Sequence, residues 1–107
     1  DYVHVMDLAD AHIKALNYAS ENLTSEVFNL GSGAPASNKE LLETVQKYTG
    51  KMNIEIWGNR PGDPAYLVAD INKVKEVLGW EPKQSSIDNV VSTAVKWYNT
   101  IHKKQIQ

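Results

Sequence analysis

Cysteine is absent from this sequence of 107 residues, so a disulfide scaffold, a cysteine-based zinc ribbon and a thiol nucleophile are excluded. No apolar run approaches the roughly 20 residues that a membrane-spanning helix needs, and no secretory signal is recognisable. The sequence also lacks an excess of positive charge, because 11 Lys and Arg residues against 13 Asp and Glu residues give a net charge of −2. A nucleic-acid surface would show clustered positive charge, so we expect neither nucleic acid nor a membrane as a partner.

The length of the chain allows one modest core. A folded chain of this size exposes roughly 6,000 Å², and an enzyme with separate cofactor and substrate domains needs well over roughly 200 residues. A hydrophobic content of 42% predicts a globular fold rather than disorder. The first five residues, Asp1-Tyr2-Val3-His4-Val5, alternate like a strand and lack an initiator methionine. We therefore expect the chain to be a piece of a longer protein.

Apolar spacing predicts four helices, each opened by a polar residue that could cap it and each carrying one apolar stripe. The predicted caps are Asp7, Ser37, Asp70 and Ser85. Glycine ends the second and third helices, at Gly50 and Gly79. About three short strands are expected, at the opening alternation, at Glu26 to Leu30 and at Asn53 to Trp57. The predicted class is an α/β fragment, or α+β when the chain is taken alone.

A glycine turn, Gly31-Ser32-Gly33-Ala34-Pro35-Ala36, lies between a predicted strand and a helix. It matches the loose dinucleotide-binding pattern, and Glu55 lies at about the right distance downstream. Pro35 removes one N–H from the turn, however, and Ser37 already caps the following helix. A structural or substrate-side turn is therefore the favoured interpretation, with a cofactor turn as the alternative.

A second loop, Arg60-Pro61-Gly62-Asp63-Pro64-Ala65, carries a cation and a carboxylate three residues apart. The planar guanidinium of Arg60 suits phosphate oxygens, and the carboxylate of Asp63 can accept hydrogen bonds from a vicinal diol such as a ribose. From the spacing alone, a surface salt bridge within the turn is the favoured interpretation and a ligand site is the alternative.

No reaction centre is recognisable in the sequence. The three histidines are far apart and lack metal-ligand spacing, and we expect His4 to be a hydrogen-bonded structural residue. None of the five tyrosines has a lysine four residues later. The three tryptophans are expected to pack in or beside the core, at Trp57, Trp80 and Trp97. The chain therefore reads as a binding unit without catalytic groups.

Taken as an ordered set, the motifs resemble the C-terminal part of nucleotide-sugar enzymes of the extended short-chain dehydrogenase/reductase family. Any one stretch is weak, but together they span nearly the whole chain in the order of the family. The stretches are Asp1 to Asp10, Phe28 to Gly33, Arg60 to Ala65, Leu67 to Asp70 with Lys73, and Leu78 to Trp80 with Pro82. The third and fifth stretches resemble most closely the branch that epimerises UDP-glucose and UDP-galactose at C4.

The resemblance implies substrate-binding roles for four residues. Arg60 would pair with the UDP pyrophosphate and Asp63 would bind the ribose hydroxyls. Tyr2 lies in a segment that lines the nucleotide-sugar cleft in the family. Leu67 stands at a position bordering the sugar, where a bulky tyrosine is associated with exclusion of N-acetylated sugars. Two departures from the family pattern, Pro35 for a glycine and Asn59 for a second arginine, affect the uridine side and the phosphate contacts.

The resemblance also implies what the chain lacks. Residues 1–107 would form a single C-terminal substrate-binding portion, without the N-terminal Rossmann domain that binds NAD and carries a Tyr-x-x-x-Lys pair. In the complete enzyme, which would be cytoplasmic, that tyrosine would take the proton from the sugar 4-hydroxyl while NAD accepts the hydride. No catalytic residue is therefore expected here, and the isolated chain is expected to be inactive.

Two other functions remain open. One is the corresponding part of a related enzyme, an N-acetylhexosamine 4-epimerase or a sugar-nucleotide dehydratase. The other is a helical interaction module that binds no small ligand. If the chain is part of an enzyme of this family, the absence of the cofactor domain exposes a strand edge and apolar helix faces, which favour self-association. We therefore expect a homodimer or a self-associated fragment.

Overall fold

A computed structural model describes residues 1–56, 58, 61–63 and 66–106, with side chains up to residue 102. Within that part of the chain lie four helices, as predicted. They are α1 (Val5–Asn22), α2 (Asn38–Thr49), α3 (Asn72–Leu78) and α4 (Ile87–Ile106). Helix α1 packs against α3, and α2 packs against α4. None of the described helices is both long and apolar enough to cross a membrane.

Helix α1 begins two residues before the predicted cap. The ring of His4 is the cap, since its Nδ1 accepts the N–H of Met6 at 3.0 Å. The hydrogen is then on Nε2, which donates to the Thr93 hydroxyl at 2.8 Å. The prediction of a structural, hydrogen-bonded His4 is confirmed. Asp7 as the cap is wrong, because this carboxylate is buried in the first turn and accepts hydrogen bonds from outside the helix.

The ends of α2 and α3 follow their predicted signals. The Ser37 hydroxyl accepts the N–H of Glu40 at 3.1 Å, and the N–H of Gly50 closes the helix on the carbonyl of Gln46. Gly79 ends α3 with a φ of 65°, a left-handed conformation that suits glycine. The Asp70 carboxylate accepts the N–H of Asn72 at 2.9 Å, although Ile71 occupies the formal capping position.

The cap of α4 lies one residue later than predicted. Ser86, rather than Ser85, accepts the N–H of Asn89, at 3.2 Å, and its carbonyl accepts the N–H of Val90. Ser85 is buried and uses its hydroxyl in a tertiary contact with Asp7 instead. The sequence allows either serine to be the helix cap. Because Ser85 is buried against Asp7, Ser86 takes this role.

The predicted strands are extended segments without a ladder. No strand is found among the described residues, and the opening alternation ends at Val5, where α1 begins. Glu26 to Leu30 and Asn53 to Ile56 run without regular secondary structure, and Trp57 lies outside the described residues. A strand needs a neighbour for its backbone N–H and C=O groups. The described part of the chain brings no second strand beside either segment.

The core is small and centres on Trp80, which is fully buried. Its indole N–H donates to the backbone carbonyl of Asp7 at 2.8 Å, so the one polar atom of the ring is satisfied. Buried residues from α1, from α3 and from the cap of α3 belong to the same cluster, namely Ala11, Val74 and Ile71. Partly buried residues from the extended segments and the end of α3 complete it: Phe28, Leu30, Ala69 and Leu78.

Much apolar surface remains uncovered. The chain exposes 8,562 Å², against the roughly 6,000 Å² expected for its size. Its radius of gyration is 17.2 Å, whereas a compact chain of this length has about 13 Å. Leu16 is 70% exposed, and Trp97 is 65% exposed, so the prediction that Trp97 packs in or beside the core is wrong. The described part of the chain offers no element that covers these two faces.

Candidate functional site

One cleft, of about 560 Å³, combines residues from three separate segments of the chain. It lies between the start of the chain, the N-terminus of α2 and the segment that precedes α3. Its size falls within the range of small-molecule sites. The lining residues are Asp1, Pro35, Ala36, Ser37, Asn38, Glu40, Asp63, Tyr66, Leu67 and Val68.

Two of the four predicted site residues share this cleft. Asp63 and Leu67 both line it, and Leu67 is 75% exposed, so its side chain is accessible to a ligand. Tyr2 adjoins the cleft, since its hydroxyl donates to the Oδ1 of the lining residue Asn38 at 2.6 Å. Arg60 lies outside the described residues. The structure thus brings Asn38, the neighbour of Tyr2, to the same cleft as Asp63 and Leu67, although Asn38 is distant from them in sequence.

Charge in the cleft is negative. The described lining residues carry three carboxylates, on Asp1, Glu40 and Asp63, and no lysine or arginine. Asp1 is engaged by protein donors on both of its oxygens. A ligand with sugar hydroxyls suits carboxylate acceptors, whereas a diphosphate needs a cation beside them. Arg60 is the single arginine of the sequence and stands three residues before Asp63.

The glycine turn does not fit a dinucleotide. The N–H of Ser32, which a pyrophosphate would need, donates to Asp1 at 2.9 Å, and Ser32 is buried. Gly31 is closed off by the same carboxylate, because a Cβ there would lie 2.5 Å from Asp1 Oδ2. Pro35 offers no N–H. The interpretation as a structural turn on the substrate side is therefore favoured by the geometry.

Asp1 is the residue that sequence reasoning missed. Nothing in its spacing distinguishes it from a surface aspartate. Its signal is indirect and appears only in the structure, where Gly31 lacks the positive φ seen at Gly33 and so needs another explanation. The contact joins residues more than 30 positions apart.

The chain is similar in sequence to known proteins. No family model matches the chain. It is 44% identical over 104 residues to the UDP-glucose 4-epimerase of Streptococcus mutans. The aligned residues make up 96% of this chain and 31% of that protein. It is 46% identical over 101 residues to the enzyme of Lactobacillus helveticus, with 94% and 31% covered. This chain is a relative of the UDP-glucose 4-epimerases.

Solved structures of these epimerases also share the fold. The enzyme of Stenotrophomonas maltophila, crystallised with NAD and formylated UDP-arabinopyranose, matches with a TM-score of 0.87 and 30% identity over 97% of this chain. The enzyme of Bifidobacterium longum, in complex with NAD+ and UDP, matches with a TM-score of 0.79 and 30% identity over 94%. The chain spans about 31% of the first structure and 30% of the second. The predicted resemblance to UDP-glucose 4-epimerases is confirmed.

Proposed function

We propose that residues 1–107 form the nucleotide-sugar-binding, C-terminal portion of an enzyme that interconverts UDP-glucose and UDP-galactose. The observation that carries the proposal is the cleft, in which Asp63 and Leu67 meet the N-terminus of α2. The similarity to epimerase structures that hold UDP or a UDP-sugar supports it. This portion would contribute to the reaction by binding and orienting the substrate, which lowers the entropic part of the activation barrier.

Each predicted residue has a chemical task in this proposal. Asp63 accepts hydrogen bonds from the ribose hydroxyls, and Arg60 pairs with the diphosphate, whose charge the acidic lining would otherwise repel. Leu67 borders the sugar and leaves room where a larger side chain would exclude an N-acetyl group. Tyr2 holds Asn38 at the rim through its hydroxyl.

NAD belongs to another part of the complete enzyme in this proposal, because Asp1 occupies the Gly31-Ser32-Gly33 turn. A preceding Rossmann domain would hold the cofactor, which supplies hydride chemistry, and the catalytic Tyr-x-x-x-Lys pair. The extended Glu26 to Leu30 segment would add to the sheet of that domain and become a strand. We place the complete enzyme in the cytoplasm.

A titration of the 107-residue chain with UDP, followed by amide NMR, tests the binding proposal. Shifts should concentrate at the cleft, at Asn38, Asp63 and Leu67, and should saturate. Uridine alone should bind more weakly, because it lacks the diphosphate. A flat titration at millimolar UDP would reject the proposal and favour a helical interaction module.

An activity assay separates this portion from the complete enzyme. The 107-residue chain with UDP-galactose and added NAD should show no conversion to UDP-glucose, since it carries no catalytic pair. Clear turnover by the pure chain would contradict this. A substrate panel on the complete enzyme would distinguish the UDP-glucose 4-epimerase from an N-acetylhexosamine 4-epimerase or a dehydratase.

Self-association of the isolated chain follows from its uncovered surface. Val5, Ile13 and Leu16 are each more than 60% exposed and lie on one face of α1 at helical spacing. The backbone of the adjacent extended segment, Glu26 to Leu30, has no ladder partner within the described chain. A second copy could cover both, which gives a homodimer or a self-associated assembly.

A further inference from the structure

The Asp1 carboxylate joins two segments of the chain, the glycine turn at Ser32 and the extended segment at Ala69. Its Oδ1 accepts the backbone N–H of Ser32 at 2.9 Å and the Ser32 hydroxyl at 2.7 Å. Its Oδ2 accepts the backbone N–H of Ala69 at 3.1 Å. One side chain therefore ties the glycine turn to the segment that ends at Ala69, across 31 and 68 positions of sequence.

Gly31 is shaped for this contact. A Cβ at this position would lie 2.5 Å from Asp1 Oδ2, which is closer than real Cβ atoms approach, and 3.1 Å from the Cβ of Ala69, which is tighter than most real contacts. Glycine is thus favoured because the carboxylate and the Ala69 segment both lie against the turn. Gly58, by contrast, has nothing within 4 Å of its hypothetical Cβ.

The joined segments separate two cavities. The candidate cleft of about 560 Å³ and a neighbouring cavity of about 410 Å³ share three lining residues, namely Asp1, Leu67 and Val68. The Ala69 N–H that Asp1 holds lies two residues after Leu67. If this hydrogen bond is lost, the segment from Leu67 to Ala69 is released from the glycine turn, and the two cavities can merge.

We propose that Asp1 is a positioning residue that sets the width of the cleft beside Leu67 and thereby the choice between plain and N-acetylated sugars. This inference rests on the proposed function, because it takes the cleft as the nucleotide-sugar site. We assign Asp1 a positioning role because both of its carboxylate oxygens accept hydrogen bonds from the protein. Its effect on the ligand is transmitted through the backbone of Leu67 to Ala69.

The test compares binding of UDP-glucose and UDP-N-acetylglucosamine to the 107-residue chain and its variants by calorimetry. In Asp1→Asn the side-chain amide places a donor against a backbone donor, and Gly31→Ala drives the carboxylate away. Both should raise the Kd for UDP-glucose about tenfold, which corresponds to about 1.4 kcal/mol. The Kd for UDP-N-acetylglucosamine should rise less, because a wider cleft accommodates the larger sugar, so the ratio of the two constants should shift at least about threefold.

Gly58→Ala is the matched control and should leave both constants and their ratio unchanged. Amide hydrogen exchange of Ala69 should accelerate in both test variants and not in the control. If the variants lose thermal stability but keep the wild-type ratio, Asp1 is merely structural and the proposal is overturned. If the wild-type chain binds neither nucleotide sugar, the proposed function itself fails, and the positioning role fails with it.

Discussion

The hydroxyl of Ser85 donates a hydrogen bond to the carboxylate of Asp7, 78 residues earlier in the chain. The same hydroxyl oxygen accepts the backbone N–H of His4 at 2.9 Å, and the carboxylate also accepts the N–H of Gln84. Both side chains are buried. This pair therefore connects the start of α1 to the start of α4, and it holds the loop that carries Trp80 against the first turn of α1.

Asp7→Ala should destabilise the chain strongly, because it leaves the buried Ser85 hydroxyl and the Gln84 N–H without their acceptor. We expect a loss of about 3 kcal/mol in the free energy of unfolding. Asp10→Ala is the control, since Asp10 pairs on the surface with Lys14 and its loss should cost less than about 0.5 kcal/mol. Urea unfolding followed by circular dichroism measures both, and equal losses would refute the role of the buried pair.

Truncation of Trp80 should lower the free energy of unfolding far more than truncation of Trp97. Trp80→Ala removes a fully buried ring and should cost about 3–5 kcal/mol. Trp97→Ala removes a ring that is 65% exposed, so its effect on the free energy of unfolding should be within about 1 kcal/mol. Denaturant midpoints at low protein concentration provide the measurement. A large loss from Trp97→Ala would show that its face of α4 is covered in solution.

Removal of the single arginine should weaken UDP binding more than uridine binding. Arg60→Ala should raise the Kd for UDP at least about tenfold, since a charge-assisted pair with phosphate contributes about 1.5–3 kcal/mol. Asp63→Ala should weaken UDP and uridine equally, because both ligands carry the ribose. Lys75→Ala, which removes an exposed cation outside the cleft, is the control. An unchanged Kd for UDP in Arg60→Ala would reject Arg60 as a phosphate ligand.

The contact between Glu26 and Lys73 makes one part of the stability depend on pH. The Lys73 ammonium donates to the Glu26 carboxylate at 2.6 Å and holds the pKa of Glu26 below its ordinary value near 4.5. A depressed pKa stabilises the fold above the ordinary value, and this contribution is lost as the pH falls through the folded pKa. In Lys73→Met, the NMR-measured pKa of Glu26 should rise towards 4.5, whereas Lys14→Met should leave it unchanged.

A charge on the exposed face of α1 should disrupt self-association. Light scattering of the isolated chain should give a mass above that of the monomer, rising with concentration. Leu16→Glu places a carboxylate at the centre of this face and should shift the chain towards the monomer. Asn17→Glu adds the same charge at an exposed polar position of α1 and is the control. A wild-type chain that stays monomeric at high concentration would contradict the prediction.

Local signals in the sequence were sufficient where the physical cause is local. Ser37, Gly50 and Gly79 act on N–H and C=O groups within four residues, so the ends of α2 and α3 could be predicted. Asp7 and Ser85 have the same chemistry as a helix cap. Their prediction as helix caps was wrong because the two side chains hydrogen-bond to each other across 78 residues. The buried contact outweighs the local hydrogen bond that a cap would make.

Residue type and spacing were sufficient to predict the four helices of the described residues and, through ordered motifs, the resemblance to UDP-glucose 4-epimerases. The fold was needed to show that Asp63 and Leu67 share a cleft with the N-terminus of α2 and that Asp1 closes the glycine turn. It also decided that the predicted strands stay unpaired among the described residues. Those outcomes depend on which distant segments meet, and spacing along one chain carries no information about that.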